Sequence, residues 1–212
     1  MPNRPVQLLL VRHGETTWNR EGRIQGHLDS PLTERGLAQA QAAAARLARE
    51  RIDALYSSDL GRAQETARHV AAATSLELRL DGGLRERSFG ILEGKTWDEI
   101  ARDHPDDARL LAEDPSHAMP GGESLVQFRD RVTDALRRLA REVGAGTIAV
   151  VTHGGVLGVL YRVAMGIPLD APRTYETLNA GVNHFRFVDD RWSIVRWGDA
   201  DHLEIDESLD DV

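Results

Sequence analysis

Short, mainly apolar runs alternate along this chain with longer segments whose apolar residues recur every three or four positions. Leu76–Leu80 (LELRL) alternates and reads as a further strand, whereas Val6–Val11 (VQLLLV), Ala54–Ser57 and Thr147–Thr152 are the mainly apolar runs. Strands covered on both faces read this way, without the in-and-out alternation of a half-solvated strand. Between them, Thr33 is placed to cap an alanine-rich helix from Glu34 to about Arg49, and Asp59 a helix of about Leu60–Ala72. A short polar side chain at these positions accepts from the free amides of a first turn. Thr96-Trp97-Asp98-Glu99 has capping-box spacing, and Ser124-Leu125-Val126-Gln127 repeats it ahead of an amphipathic helix to about Val143. Val156–Met165 reads as a helix behind the last run, and Asn183–Val188 with Trp192–Trp197, either side of Asp189-Asp190, as a hairpin. Gly83 to Gly122 is less regular. The alternation predicts an α/β fold: a three-layer sandwich of a mostly parallel sheet with helices on both faces. A single domain over residues 1–212 is expected, with an acidic, mobile tail from about 199 to 212.

Two of the runs end in the same punctuation. Val6–Val11 leads into Arg12-His13-Gly14, and Ile148–Val151 into Thr152-His153-Gly154-Gly155. The carboxyl ends of parallel strands line the crevice in which α/β sheets bind ligands, so two histidines far apart in sequence can converge there. A lone histidine at a strand end usually caps a turn or packs against a neighbour; a matched pair, each followed by glycine, argues for a site. Arg62 falls in the first turn of a helix that starts beside the same crevice.

Composition narrows what such a crevice serves. The 212 residues carry a formal net charge of -8, which gives no general attraction to nucleic acid or an anionic membrane. Phosphate binding must therefore be local. Cysteine is absent, which removes disulfides, thiolate nucleophiles and thiolate metal sites, and a cytoplasmic location is expected. No apolar stretch approaches the roughly 20 residues that span a bilayer. The first run is short and is followed by Arg12 without a small-residue cleavage site, so it reads as a strand rather than a leader.

Two enzyme classes have decoys here. Gly90-Ile91-Leu92-Glu93-Gly94-Lys95-Thr96 resembles a nucleotide-binding loop, but its first glycine is one residue too close and no buried strand feeds it. His, Asp and Glu are plentiful, yet HExxH is absent and neither strand-end histidine has a carboxylate beside it, so no metal is expected. What remains fits phosphoryl transfer. A neutral imidazole is a competent nucleophile, and arginine forks grip non-bridging phosphoryl oxygens while neutralising their charge. Several such donors can do the work of a metal ion, and a nearby carboxyl can protonate the leaving oxygen.

Leu10-Val11-Arg12-His13-Gly14-Glu15-Thr16 with Trp18-Asn19 resembles the signature of the histidine phosphatase superfamily, in its cofactor-dependent phosphoglycerate mutase-like branch. Further landmarks follow in order: Asp29-Ser30-Pro31-Leu32-Thr33, Ser57-Ser58-Asp59-Leu60 with Arg62-Ala63, Leu84-Arg85-Glu86, Pro120-Gly121-Gly122-Glu123-Ser124, and Val151-Thr152-His153-Gly154-Gly155. The resemblance covers nearly the whole chain and implies the phosphoglycerate mutase-like fold. It implies that His13 is the phosphorylated nucleophile, that Arg12, Arg62 and His153 clamp the phosphoryl group, and that Glu86 donates the proton and later activates water. Asn19, Gln25 and Gly154 are implied contacts to phosphate or substrate. Gln25-Gly26 ahead of Asp29-Ser30-Pro31 looks more like the broad-specificity phosphatases than the dedicated mutases, which resemble one another in a longer middle insertion. The expected function is thus a metal-independent phosphomonoesterase acting on small phosphorylated metabolites, with no cofactor. The alternatives are a phosphoglycerate mutase primed by 2,3-bisphosphoglycerate and a silent phosphate- or partner-binding module. Trp18, His27, Phe89, Trp97 and Met119 are candidates for the pocket rim, and a monomer or homodimer is expected.

Overall fold

A computed structural model describes residues 5–203. Its elements in chain order are β1 (Val6–Arg12), α1 (Thr17–Arg20), α2 (Glu34–Leu47), β2 (Ala54–Ser57), α3 (Gly61–Thr74), β3 (Leu78–Leu80), α4 (Trp97–Asp103), α5 (Pro105–Glu113), α6 (Leu125–Val143), β4 (Gly146–Thr152), α7 (Gly154–Met165), β5 (Val182–Val188) and β6 (Arg191–Asp199). The six strands form one sheet in the order β3-β2-β4-β1-β5-β6. β3, β2, β4 and β1 run parallel, whereas β5 and β6 are antiparallel additions at the far edge.

The mainly apolar run of β1 is explained by its central place. Leu8 and Leu10 face one layer, packing with Phe128, Val132 and Leu136 of α6 and Leu157 and Leu160 of α7. Leu9 and Val11 face the other, packing with Ala43, Ala44 and Leu47 of α2 and Ala63, Ala67 and Val70 of α3. Both faces of the strand are dry from Leu8 to Val11, so these positions are apolar. Its register against β4 pairs Leu10 with Val150 and Arg12 with Thr152. The two central strands therefore end level, and the His13 amide donates to the Thr152 carbonyl at 2.9 Å.

Several boundaries differ from the sequence reading. Asp59 does not cap α3: the N-cap is Leu60, without a side-chain bond, and the amides of Gly61 and Arg62 are accepted by Asp29 from a distant loop. Asp59 is instead committed to Arg85, which holds its carboxyl below the usual range. α7 begins at Gly154, not Val156, so His153 is its N-cap residue. The irregular middle contains α5, which starts on Pro105 and which periodicity missed. It packs with α4 around Ile24, Leu92, Ile100, Leu111 and Met119. The nucleotide-loop decoy folds as a 3-10 turn at Gly90–Leu92, and its Thr96 caps α4. The β5–β6 hairpin turns on Asp189 and Asp190, both at positive φ, as a two-residue turn of this twist requires. The expected mobile tail is corrected at its start. Asp199 closes β6, is buried and is paired with Arg46 at 3.3 Å, while the rest of the tail beyond Leu203 lies outside the described residues. Among the described residues no helix is long and apolar enough to cross a membrane.

Candidate active site

The level ends of β1 and β4 put His13 and His153 side by side, ring centroids 5.3 Å apart and inclined at 62°. Both are buried. Beside His13 opens a cavity of about 1440 Å³, lined by Arg12, His13, Asn19, Gln25, Arg62, Glu86 and Gly154 among others. His153, fully buried beside His13, is not in that lining.

Two hydrogen bonds settle the state of the His13 ring. Nδ1 lies 2.8 Å from the Gly14 carbonyl, which can only accept, so Nδ1 carries the proton. On the other side Arg62 Nε donates to Nε2 at 3.2 Å, so Nε2 presents a lone pair. Burial, then the charges of Arg62 and Arg12, hold this imidazole well below its ordinary pKa, against the pull of the Gly14 carbonyl. The result is a buried, neutral ring whose Nε2 lone pair is held by the Arg62 Nε–H at the cavity wall.

His153 is held from the opposite edge. Its Nε2 is 2.8 Å from Ser58 Oγ, and the Leu60 amide already donates to that oxygen. Ser58 Oγ can donate to Nε2 or accept from it, while His153 Nδ1 is a buried atom with no partner in the protein. Burial, followed by Arg62, His13 and Arg12, keeps this ring neutral too. In the Nδ1–H tautomer that atom is a buried donor with a place for an anion.

Arg62 is almost fully buried, and most of its fork is committed to the protein. Nη1 donates to Leu28 O at 2.7 Å and to Asp29 Oδ1 at 2.8 Å, and Nη2 to Gly26 O at 2.8 Å. These bonds aim the Nε edge at His13. Arg12 is buried, and its Nη1 donates to Thr177 O. Glu86 sits opposite on a segment without regular structure. Its Oε2 accepts from the Gly155 amide at 2.9 Å and its Oε1 from the Arg87 amide at 2.7 Å. Asn19 Oδ1 is spent on the Thr16 capping box of α1, and Gln25 Oε1 accepts from Ser30 Oγ, so both point their amide nitrogens elsewhere.

The glycines after the two histidines do different work. Gly14 leaves room for another backbone, since a Cβ there would lie 2.3 Å from the Gly36 carbonyl of α2. At Gly155 a Cβ would lie 2.1 Å from Glu86 Oε1. The rim assignment holds for Trp18, Phe89 and Trp97. It fails for Met119, which is buried in the third core cluster, and for His27, whose Nε2 lies 2.9 Å from the Glu86 carbonyl instead of lining the cavity. Sequence reasoning did not assign Ser58, Asp29 or Asn179, whose Nδ2 donates to the His13 carbonyl. Ser58 and Asp29 stand in quoted motifs and were within reach; nothing local marks Asn179.

Residues 8–200 match the family described as the histidine phosphatase superfamily (branch 1). This chain belongs to that superfamily. It is 43% identical over 204 residues to phosphoglycerate mutase-like protein 4 of Arabidopsis thaliana, covering 94% of this chain and 87% of that protein. It is 42% identical over 203 residues to a metal-independent phosphoserine phosphatase of the same plant, covering 93% and 83%. Among solved structures, YhfR of Bacillus stearothermophilus superimposes with a TM-score of 0.86 at 34% identity, covering 94% of this chain and all of that one. This histidine phosphatase thus has the mutase-like α/β fold and the phosphatase class of its family. Among its described residues no group of three or more His, Asp or Glu is arranged to hold a metal.

Proposed function

We propose that this histidine phosphatase hydrolyses small phosphomonoesters without a metal, through a phosphohistidine at His13. The observation that carries the reading is the fixed tautomer of His13, with Nδ1–H on a carbonyl and the Nε2 lone pair beside a buried guanidinium. In the first step the Arg62 Nε–H passes from Nε2 to a non-bridging phosphoryl oxygen, the freed Nε2 attacks phosphorus, the N–P bond forms and the ester P–O bond breaks. Glu86 gives its proton to the leaving oxygen. The Nε edge of Arg62, Arg12 and the His153 Nδ1–H take up the charge on the non-bridging oxygens, a role for preorganised donors in a dry site. In the second step water attacks phosphorus, Glu86 takes its proton, the N–P bond breaks and inorganic phosphate leaves. Asn19, Gln25 and the Gly154 amide border the same space and are assigned contacts to phosphate or substrate.

The relative named for phosphoserine makes that ester the first substrate to try. The relative named as mutase-like favours a second reading, in which 2,3-bisphosphoglycerate loads His13 and a phosphoglycerate accepts the group. The test is turnover of 4-nitrophenyl phosphate and phosphoserine in EDTA, with an acid-labile phosphoprotein trapped on the parent and absent from His13→Ala. Isomerisation of 3-phosphoglycerate outpacing hydrolysis establishes the mutase. No turnover of any phosphoester leaves a binding module.

A further inference from the structure

We infer that Arg131 and Glu123 are positioning residues for the Glu86 carboxyl. Glu86 lies between the 3-10 turns Gly82–Leu84 and Gly90–Leu92, on backbone that has no ladder or helix to fix it. One guanidinium substitutes for that missing structure. Arg131, on α6, donates from Nη1 to the carbonyls of Gly83 and Arg85 and from Nη2 to that of Glu86, each at 3.0 Å. Glu123, just ahead of the α6 cap, accepts from Arg131 through both oxygens. The same carboxylate takes the Ser88 amide at 3.0 Å. The Glu123 amide on the Ser88 carbonyl, and Arg87 Nε on the Glu123 carbonyl, complete the seam.

Three carbonyls and both Glu123 oxygens converge on one planar fork, a spread of acceptors that the three donors of a lysine ammonium do not match. Neither Arg131 nor Glu123 lines the cavity, so they act on chemistry through the backbone that carries Glu86. His27 Nε2 reaches the Glu86 carbonyl from the opposite loop, so that one oxygen is shared between both walls of the site. Displacing a reacting group by about 1 Å can cost on the order of 100-fold.

The inference rests on Glu86 being the proton donor, and its test separates the two. The measurement is kcat/KM on phenyl phosphate, a poor leaving group, against 4-nitrophenyl phosphate, a good one, for Arg131→Lys, Glu123→Gln and Glu86→Gln. Arg131→Lys and Glu123→Gln are expected to lose roughly 30-fold on phenyl phosphate and under about 3-fold on 4-nitrophenyl phosphate, with no further loss in the Glu86→Gln background. Equal losses on both substrates, or losses that add to that of Glu86→Gln, overturn the inference, since general damage to the fold ignores the leaving group. Should Arg131→Lys fail to fold, the nearly isosteric Glu123→Gln decides by the same criteria. Leaving-group bias in Glu86→Gln without bias in the other two removes positioning alone. Absence of bias in Glu86→Gln removes the acid assignment, and this inference with it.

Discussion

At the scale of single residues, the site is a set of hydrogen bonds that choose protonation states. His13 is written into the sequence by its place after a buried run. Its tautomer is not, because that depends on a carbonyl one residue ahead and a guanidinium 49 residues away. Ser58 holds the Nε2 edge of His153 and was legible only as part of a motif. Ser58→Ala should remove the partner that holds His153 Nε2 and lower kcat/KM on 4-nitrophenyl phosphate roughly 10-fold, with about 1 kcal/mol lost in urea unfolding. Unchanged kinetics would mean that Ser58 only fills space. Arg62→Lys should lose roughly 100-fold in kcat/KM despite keeping its charge. The lost fork is mainly the one that seats the side chain on Gly26, Leu28 and Asp29, so melting should also show a lower Tm. A lysine variant with parental activity would exclude Arg62 from the clamp.

Among elements, the strands and long helices follow from sequence because burial dictates their periodicity, whereas the short ones depend on partners. α1 has only four residues and a capping box, too little for a periodic signal. The cap of α3 comes from Asp29, a loop residue that no local pattern could connect to Gly61. At the start of α7, Gly155 meets Glu86 with no room for a methyl. Gly155→Ala should therefore displace the carboxylate, which is the movable partner, instead of unfolding the helix. A loss of roughly 100-fold in kcat/KM on phenyl phosphate is expected, with urea stability within about 1 kcal/mol of the parent. Kinetics like the parent's would show that Glu86 tolerates the shift.

For the molecule as a whole, two neutral imidazoles sealed in the centre make stability depend on pH. The unfolded chain binds protons on these rings near pH 6.5, and the folded chain resists doing so because burial and the arginines hold both pKa values well below that. Stability is therefore full above pH 6.5 and falls as the pH drops toward the folded values, on the order of 1 kcal/mol per pH unit for each ring. Urea unfolding from pH 7.5 to 5.5 should show this slope, and His153→Gln should flatten it. An unaltered slope in that variant would place the acid sensitivity elsewhere, for instance in His184 and His202, which burial also lowers.

The level ends of the two central strands divide labour in space. The nucleophile and its companion ring stand at the ends of the two central strands, while Trp18, Phe89, Trp97 and Tyr175 reach the cavity from the outer loops and short helices around it. Exchange of those outer segments between members of the superfamily can retune which ester is admitted and leave phosphoryl transfer intact. Selectivity in this architecture is a graftable property, and the bond-breaking machinery is not.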